Sequence, residues 1–179
     1  RALGIHVEQL LYCTPERAPI QEPEAQANFF SGLTQFYGYY YDGRVNRIVA
    51  AVFDVLLLSE DHRYKIMAYI NFTDFDSYQN CGTAFWGYME HYDAITNITL
   101  TNQASPMERA FCQILATFTT SDTIWGLFTG LSARPIMPVA IKMLISKKRL
   151  AMDENLTGKL KVTKEDIRLM KHYNMMTVL

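Results

Sequence analysis

Apolar residues three and four positions apart run through most of this chain, and that spacing constrains its fold more than any motif it carries. Phe29, Phe30, Leu33, Phe36, Tyr37 and Tyr40 fall at i, i+3, i+4 and i+7, the positions that share one face of an α-helix. Pro23 suits the first turn of such a helix. Asp42 and Gly43 interrupt the pattern, after which Val45, Ile48, Val49, Val52, Phe53 and Leu56 begin a second stripe. The segment reads as a helix, a tight turn and a helix.

The same signal continues downstream. Ser59 heads a capping segment before Ile66, Met67 and Ile70, and Thr73 precedes Phe75, Tyr78, Cys81, Phe85, Tyr88, Met89 and Tyr92. Ser105 with Glu108 forms a capping box ahead of Ala110, Phe111, Ile114, Leu115 and Phe118. Ser121 and Asp122 introduce Ile124, Leu127, Phe128 and Leu131, Arg134 with Pro135 ends that stretch, and Val139 to Leu144 starts another. Thr163 with Asp166 caps a final short helix through Met170. With no run of convincing period-two alternation, the expected fold is all-α, about seven to eight helices stacked as hairpins. Residues 23–179 form this domain, with Ala140 facing a neighbouring helix and Gly126 and Gly130 permitting close helix approach. Residues 1–22, where Pro15 and Pro19 flank Glu16 and Arg17 and the apolar patch is only Leu10, Leu11 and Tyr12, read as an extended N-terminal arm suited to wrapping a partner.

Composition narrows the class. A chain of 179 residues that is 49% hydrophobic can bury the core of one domain. Seventeen Lys and Arg against eighteen Asp and Glu leave a net charge of -1, a poor balance for tracking phosphates. Cys13, Cys81 and Cys112 form no CxxC pair, which favours a reducing compartment, although Asn71, Asn97 and Asn155 stand in N-x-T sequons. The longest apolar run, Ile48 to Leu58, contains Asp54 and is about half the length of a membrane-crossing helix, so no membrane span is expected. The opening on Arg1 reads as a processed organellar protein.

The segments FYGYYYDGRVNRIVAAVF and GLFTGLSARPIMPVAIKML resemble degenerate pentatricopeptide repeats, with large residues on a first helix and a small inward residue, Ala110 or Ala140, on the second. The resemblance implies a helical-repeat stack. Within that family the short, neutral, aromatic-rich chain is similar to the small extra subunits on the catalytic head of mitochondrial ATP synthase in kinetoplastids and their relatives. It implies a non-catalytic subunit docked on the alpha subunit on the matrix side. The alternative is an organellar RNA-binding or mitoribosomal protein, reading bases along the hairpin groove.

Chemistry-bearing constellations are sparse. His6, His62, His91 and His172 have no helical i, i+4 His or Cys partner, and no GxxxxGK[ST] or GxGxxG loop occurs. Cys81 and His91 could meet only through tertiary folding, and Asp74, Asp76, Glu90 and Asp93 read as acids placed on helix dipoles rather than an acid/base pair. No catalytic residue, metal ligand, cofactor or small-molecule substrate is expected. The basic residues Lys142, Lys147, Lys148, Arg149, Lys159, Lys161, Lys164, Arg168 and Lys171 read as a solvated face. Aromatics from Phe36 to Tyr41 and from Phe85 to Tyr92 are too dense to share one side of a helix, which leaves Tyr39, Tyr41 and Trp86, with Tyr12 of the arm, as the candidate partner-facing residues.

Overall fold

The computed structural model describes residues 29–58, 63–92, 94–115, 121–133 and 135–178. They form a closed antiparallel β-barrel: β1 (Gln35–Asp42), β2 (Arg47–Leu58), β3 (Tyr64–Ile70), β4 (Thr83–His91), β5 (Ile95–Asn102), β6 (Arg109–Leu115), β7 (Thr123–Ala133) and β8 (Ile136–Ser146). Each strand pairs with its neighbour in sequence, and β8 returns to β1 through Tyr37↔Ser146, Gly38↔Ile145 and Tyr39↔Leu144. A single 3-10 turn, Phe75–Ser77, lies in the β3–β4 loop. Two helices follow, α1 (Glu154–Leu160) and α2 (Lys164–Tyr173).

This architecture overturns the all-α expectation and the stacked helical hairpins with it. The two segments that resembled pentatricopeptide repeats are β-hairpins: one runs in register from Gln35↔Asp54 to Asp42↔Arg47, the other from Thr123↔Ser146 to Ala133↔Ile136. The resemblance fails, and the expectations of a mitochondrial setting and of a seat on an ATP synthase head lose the residues that carried them.

The physical reason lies in double-sided burial. Strands that bury only one face alternate visibly between apolar and polar residues; strands buried on both faces become continuous apolar runs, in which helical spacing can always be found. In β1 and β2 the buried side chains divide by parity. Phe36 and Tyr40 with Val49, Ala51, Phe53 and Val55 point into the barrel, whereas Tyr37, Tyr39 and Tyr41 with Ile48 and Ala50 belong to a second apolar cluster outside it. The turn at Asp42 and Gly43 falls where the sequence placed it, but it joins strands: the Asp42 carbonyl accepts from the Val45 N–H at 3.3 Å, and Asn46 takes the left-handed conformation at φ 54°.

The second cluster exists because the C-terminal segment covers it. Asp153 caps α1, its carboxylate accepting from the Leu156 N–H at 2.8 Å, and Leu156 and Leu160 then bury themselves against Tyr39, Ala50 and Leu144. The Leu150 N–H donates to the Tyr39 hydroxyl at 2.9 Å. The final helix does form as expected, with the Thr163–Asp166 capping box intact. Asp166 also receives the Lys142 ammonium of β8 at 2.7 Å, which ties α2 to the barrel.

Inside, Phe36 stacks on Phe53 at 4.7 Å and Phe30 meets Phe36 edge-on at 5.0 Å. Phe29 and Phe30 are fully buried and close the end of the barrel that holds Tyr64 and His91. The opposite end carries the turns joining β1 to β2, β3 to β4, β5 to β6 and β7 to β8.

Candidate interaction surface

Alternation along β4 sends Phe85, Gly87 and Met89 inward and Trp86 and Tyr88 outward. The same alternation puts Phe111 of β6, Leu131 of β7 and Ala140 of β8 on the outer wall, where with Trp86 and Tyr88 they line an open groove of about 1070 Å³. Its floor depends on glycine: a Cβ at Gly87 would stand 1.8 Å from the Thr99 carbonyl oxygen, so β4 and β5 approach there more closely than any side chain allows. Arg109 is the charged residue of the lining. Met107, which also lines the groove, is 82% exposed.

Of the expected partner-facing residues, Tyr12 lies outside the described residues. Trp86 is 46% exposed and stands beside Tyr88, whose ring carries the Arg63 guanidinium at 4.4 Å. Tyr39 is corrected: it is wholly buried under the C-terminal segment, and burial raises the pKa of its hydroxyl. Tyr41 is half-buried, donating to Asn46 Oδ1 at 2.8 Å with the Lys161 ammonium 4.8 Å from its ring. The structure therefore separates the tyrosines from Trp86 instead of assembling them into one surface. Ala140 is corrected too, since it lies exposed on the outer face of β8 and lines the groove. Gly126 does permit a close approach, but of strands: a Cβ there would meet Ile114 at 2.9 Å and Cys112 at 3.0 Å.

Sequence reasoning missed Phe111 and Leu131 as groove residues because it counted them as helix stripe. The signal was present in β6, where Arg109, Phe111, Gln113 and Leu115 alternate with the buried Ala110, Cys112 and Ile114.

The groups capable of chemistry stay apart. Cys81 precedes β4 and His91 ends it, so about 30 Å of extended chain separates them. Cys112 is buried and its thiol is pushed up to about 12, which removes the reactive thiolate. His91 is held neutral by burial, its pKa lowered to about 4, with Nδ1 2.9 Å from the Thr96 hydroxyl. Asp74 accepts from the Asp76 N–H at 3.2 Å as the cap of the 3-10 turn. Asp54, the one acid in the longest apolar run, is buried beneath the β3–β4 loop and accepts from Gln35 Nε2 and from the Tyr78 hydroxyl, both at 2.7 Å. These contacts knit a loop to the wall.

Among the described residues no three His, Cys, Asp or Glu side chains stand close enough to hold a metal ion. Several members of the basic cluster are engaged in ion pairs, Lys142 with Asp166, Lys148 with Asp122, Arg149 with Asp76 and Arg168 with Glu165. No helix among the described residues is long and apolar enough to cross a membrane. No protein-family model, curated protein or solved structure matches this chain.

Proposed function

We propose that this barrel is a binding protein that docks a protein partner through the outer wall of β4 to β8. The observation that carries this reading is the groove framed by Trp86, Tyr88, Phe111, Leu131 and Ala140, which no described residue covers, on a barrel whose other apolar wall is covered by its own helix. Large contiguous apolar surfaces on soluble domains mark interaction sites, and a rigid indole on a strand is a low-entropy anchor for such contact. Arg109, which makes no ion pair with any described residue, sets the partner's chemistry: an apolar segment flanked by a carboxylate.

The test is differential capture from the native source. Trp86→Ala and Leu131→Asp should each lose a protein that the unaltered chain retains, whereas Arg149→Gln, on the far wall, should keep it. The complex should survive moderate salt, because burial of apolar area does not depend on counterion release. Recovery of nuclease-sensitive, salt-labile RNA in place of a protein would favour the nucleic-acid alternative. Concentration-dependent self-association abolished by Leu131→Asp would make the occupant a second copy of this chain and overturn the proposal of a different partner.

A further inference from the structure

No described residue fills the end of the barrel opposite the Phe29–Phe30 plug. A cavity of about 230 Å³ opens there, lined at its base by Val49, Ile70, Phe85, Ala110 and Phe128, and it shares only Arg109, Ala110 and Leu131 with the outer groove. All five are buried, and below them Phe36, Phe53, Met89, Met143 and Ile145 occupy the interior. A ligand can therefore enter the mouth but go no deeper. At roughly 30 Å³ per water the space equals about eight waters, enough for a molecule on the order of ten non-hydrogen atoms.

The rim supplies direction. Three arginines, Arg44, Arg47 and Arg109, and two carboxylates, Asp42 and Glu108, reach the mouth. Both carboxylates are engaged: Asp42 receives Arg44 Nη2 at 2.7 Å and Nε at 2.9 Å, and Glu108 receives Asn102 Nδ2 at 2.5 Å. Arg47 and Arg109 form no ion pair with any described residue, so the charge left unbalanced at the mouth is positive. Tyr40 lines the same cavity; its hydroxyl has no hydrogen-bond partner among the described residues, while Asp42, Arg44 and Arg47 act on it electrostatically. A largely buried phenol open to a cavity is a hydrogen-bond donor awaiting an acceptor.

We infer that the barrel mouth binds a small amphiphilic anion, its apolar body on Phe85 and Phe128 and its carboxylate or phosphate head between Arg47, Arg109 and the Tyr40 hydroxyl. Eight-stranded barrels are wide enough for side chains or for one small ligand, and this one divides its interior between the two. Pockets of this kind combine an apolar lining with a few converging polar groups. A neutral molecule of the same shape would fill the floor but leave the arginines facing water, and a larger lipid would clash with the packed interior.

Titration calorimetry on the whole chain tests the site with octanoate, phenyl phosphate and 1-octanol as probes. Octanoate or phenyl phosphate should bind with 1:1 stoichiometry and at least about tenfold more tightly than 1-octanol, since each arginine contact is charge-assisted. Preference between the two anions identifies the head group. Arg47→Gln and Tyr40→Phe, which leave the packed interior intact, should each weaken anion binding about tenfold or more. Ala110→Phe fills the floor and should abolish it, with a thermal melt confirming that the variant folds. Equal affinity for 1-octanol and octanoate, or anion binding unchanged by both Arg47→Gln and Tyr40→Phe, would overturn the inference. Loss of octanoate binding in Trp86→Ala with retention in Arg47→Gln would place the probe in the outer groove instead and overturn it equally. The mouth shares Arg109, Ala110 and Leu131 with the groove of the partner-docking reading, but failure of the Arg47 and Tyr40 arms leaves that reading untouched, because neither residue lines the groove.

Discussion

On one side of the barrel the outward side chains Tyr39, Ala50 and Leu144 lie under α1, while on the other Trp86, Phe111 and Leu131 line a groove that no described residue fills. Both walls arise from the same two-residue alternation of antiparallel strands. What separates them is the segment after Ser146, which returns across β1, β2 and β8 and supplies Leu150, Leu156 and Leu160. An apolar outer wall is thus not in itself a sign of function. It becomes one where the chain has a covering element and lays it elsewhere. The two tryptophans report on the walls separately: Trp125 packs at the edge of the covered cluster with the Lys142 ammonium 5.2 Å from its ring, and Trp86 stands on the open wall.

The harshest way to break the comparison is to uncover the covered wall. Leu160 is 3% exposed against the outer face of the barrel, so Leu160→Asp removes a buried aliphatic side chain and brings a carboxylate into its place, at a cost of about 4 kcal/mol. In single-tryptophan variants the Trp125 emission should shift to the red at denaturant concentrations where Trp86 emission is still native. If the two shift together, α1 is part of the barrel's cooperative core and the walls differ less than their geometry states.

Acid should act on both walls at once, because it acts on the barrel end they share. Folded His91 stays neutral down to about pH 4, against 6.5 for an unperturbed imidazole. The unfolded chain therefore binds the extra proton between those values. Stability is complete above about pH 6.5, falls as the pH drops toward 4, and loses nothing further from His91 below that, a total of about 3 kcal/mol. Chemical denaturation at pH 7 and pH 4.5, with His91→Phe as the reference, measures it. A variant with the same acid sensitivity as the parent would assign the effect to other groups.

Tyr39→Phe sharpens the contrast at smaller scale. It deletes only the acceptor of the Leu150 N–H, leaving a buried donor unpaired, and should cost about 1–2 kcal/mol. Tyr41→Phe loses a half-exposed bond to Asn46 and should cost about 0.5 kcal/mol or less. Urea midpoints for the pair decide whether the covered wall is held where the hydrogen bonds place it.

The parts of this fold that were legible in the sequence are those exposed on one side. Thr163 and Asp166 announced α2 because a capping box is local. In β5 the buried Thr96, Ile98, Leu100 and Asn102 alternate with Ile95, Asn97, Thr99 and Thr101, but threonine and asparagine on both parities blur the contrast. Ser105 and Glu108 satisfied a helix-start pattern and instead make the β5–β6 turn, the Ser105 carbonyl accepting from the Glu108 N–H at 2.9 Å. The aromatic-density argument identified Trp86 as outward and chose Tyr39 on the same grounds; Tyr39 is buried by a bond reaching across 111 residues, a distance over which no local pattern carries information. The arginine-ringed mouth was invisible because closure of the barrel alone brings Tyr40, Arg47 and Arg109 together.

The smallest expected effect on stability is the most informative about function. Ala140 is exposed on the outer face of β8, opposite Thr129 of β7, and lines the groove. Ala140→Leu adds three carbons to a surface already in water and should move the urea midpoint by no more than about 0.5 kcal/mol equivalent. In the groove those same carbons take up space that a docked segment needs, so affinity for the partner should fall although the fold is unchanged. Trp86→Ala acts from the opposite direction, removing the anchor instead of blocking the seat, and should lower affinity mainly through faster dissociation. If the leucine destabilises the barrel by 1 to 3 kcal/mol, the range typical of overpacking, then Ala140 faces a packed neighbour and the open wall is not open; if it leaves both stability and partner affinity untouched, the partner sits elsewhere on the barrel.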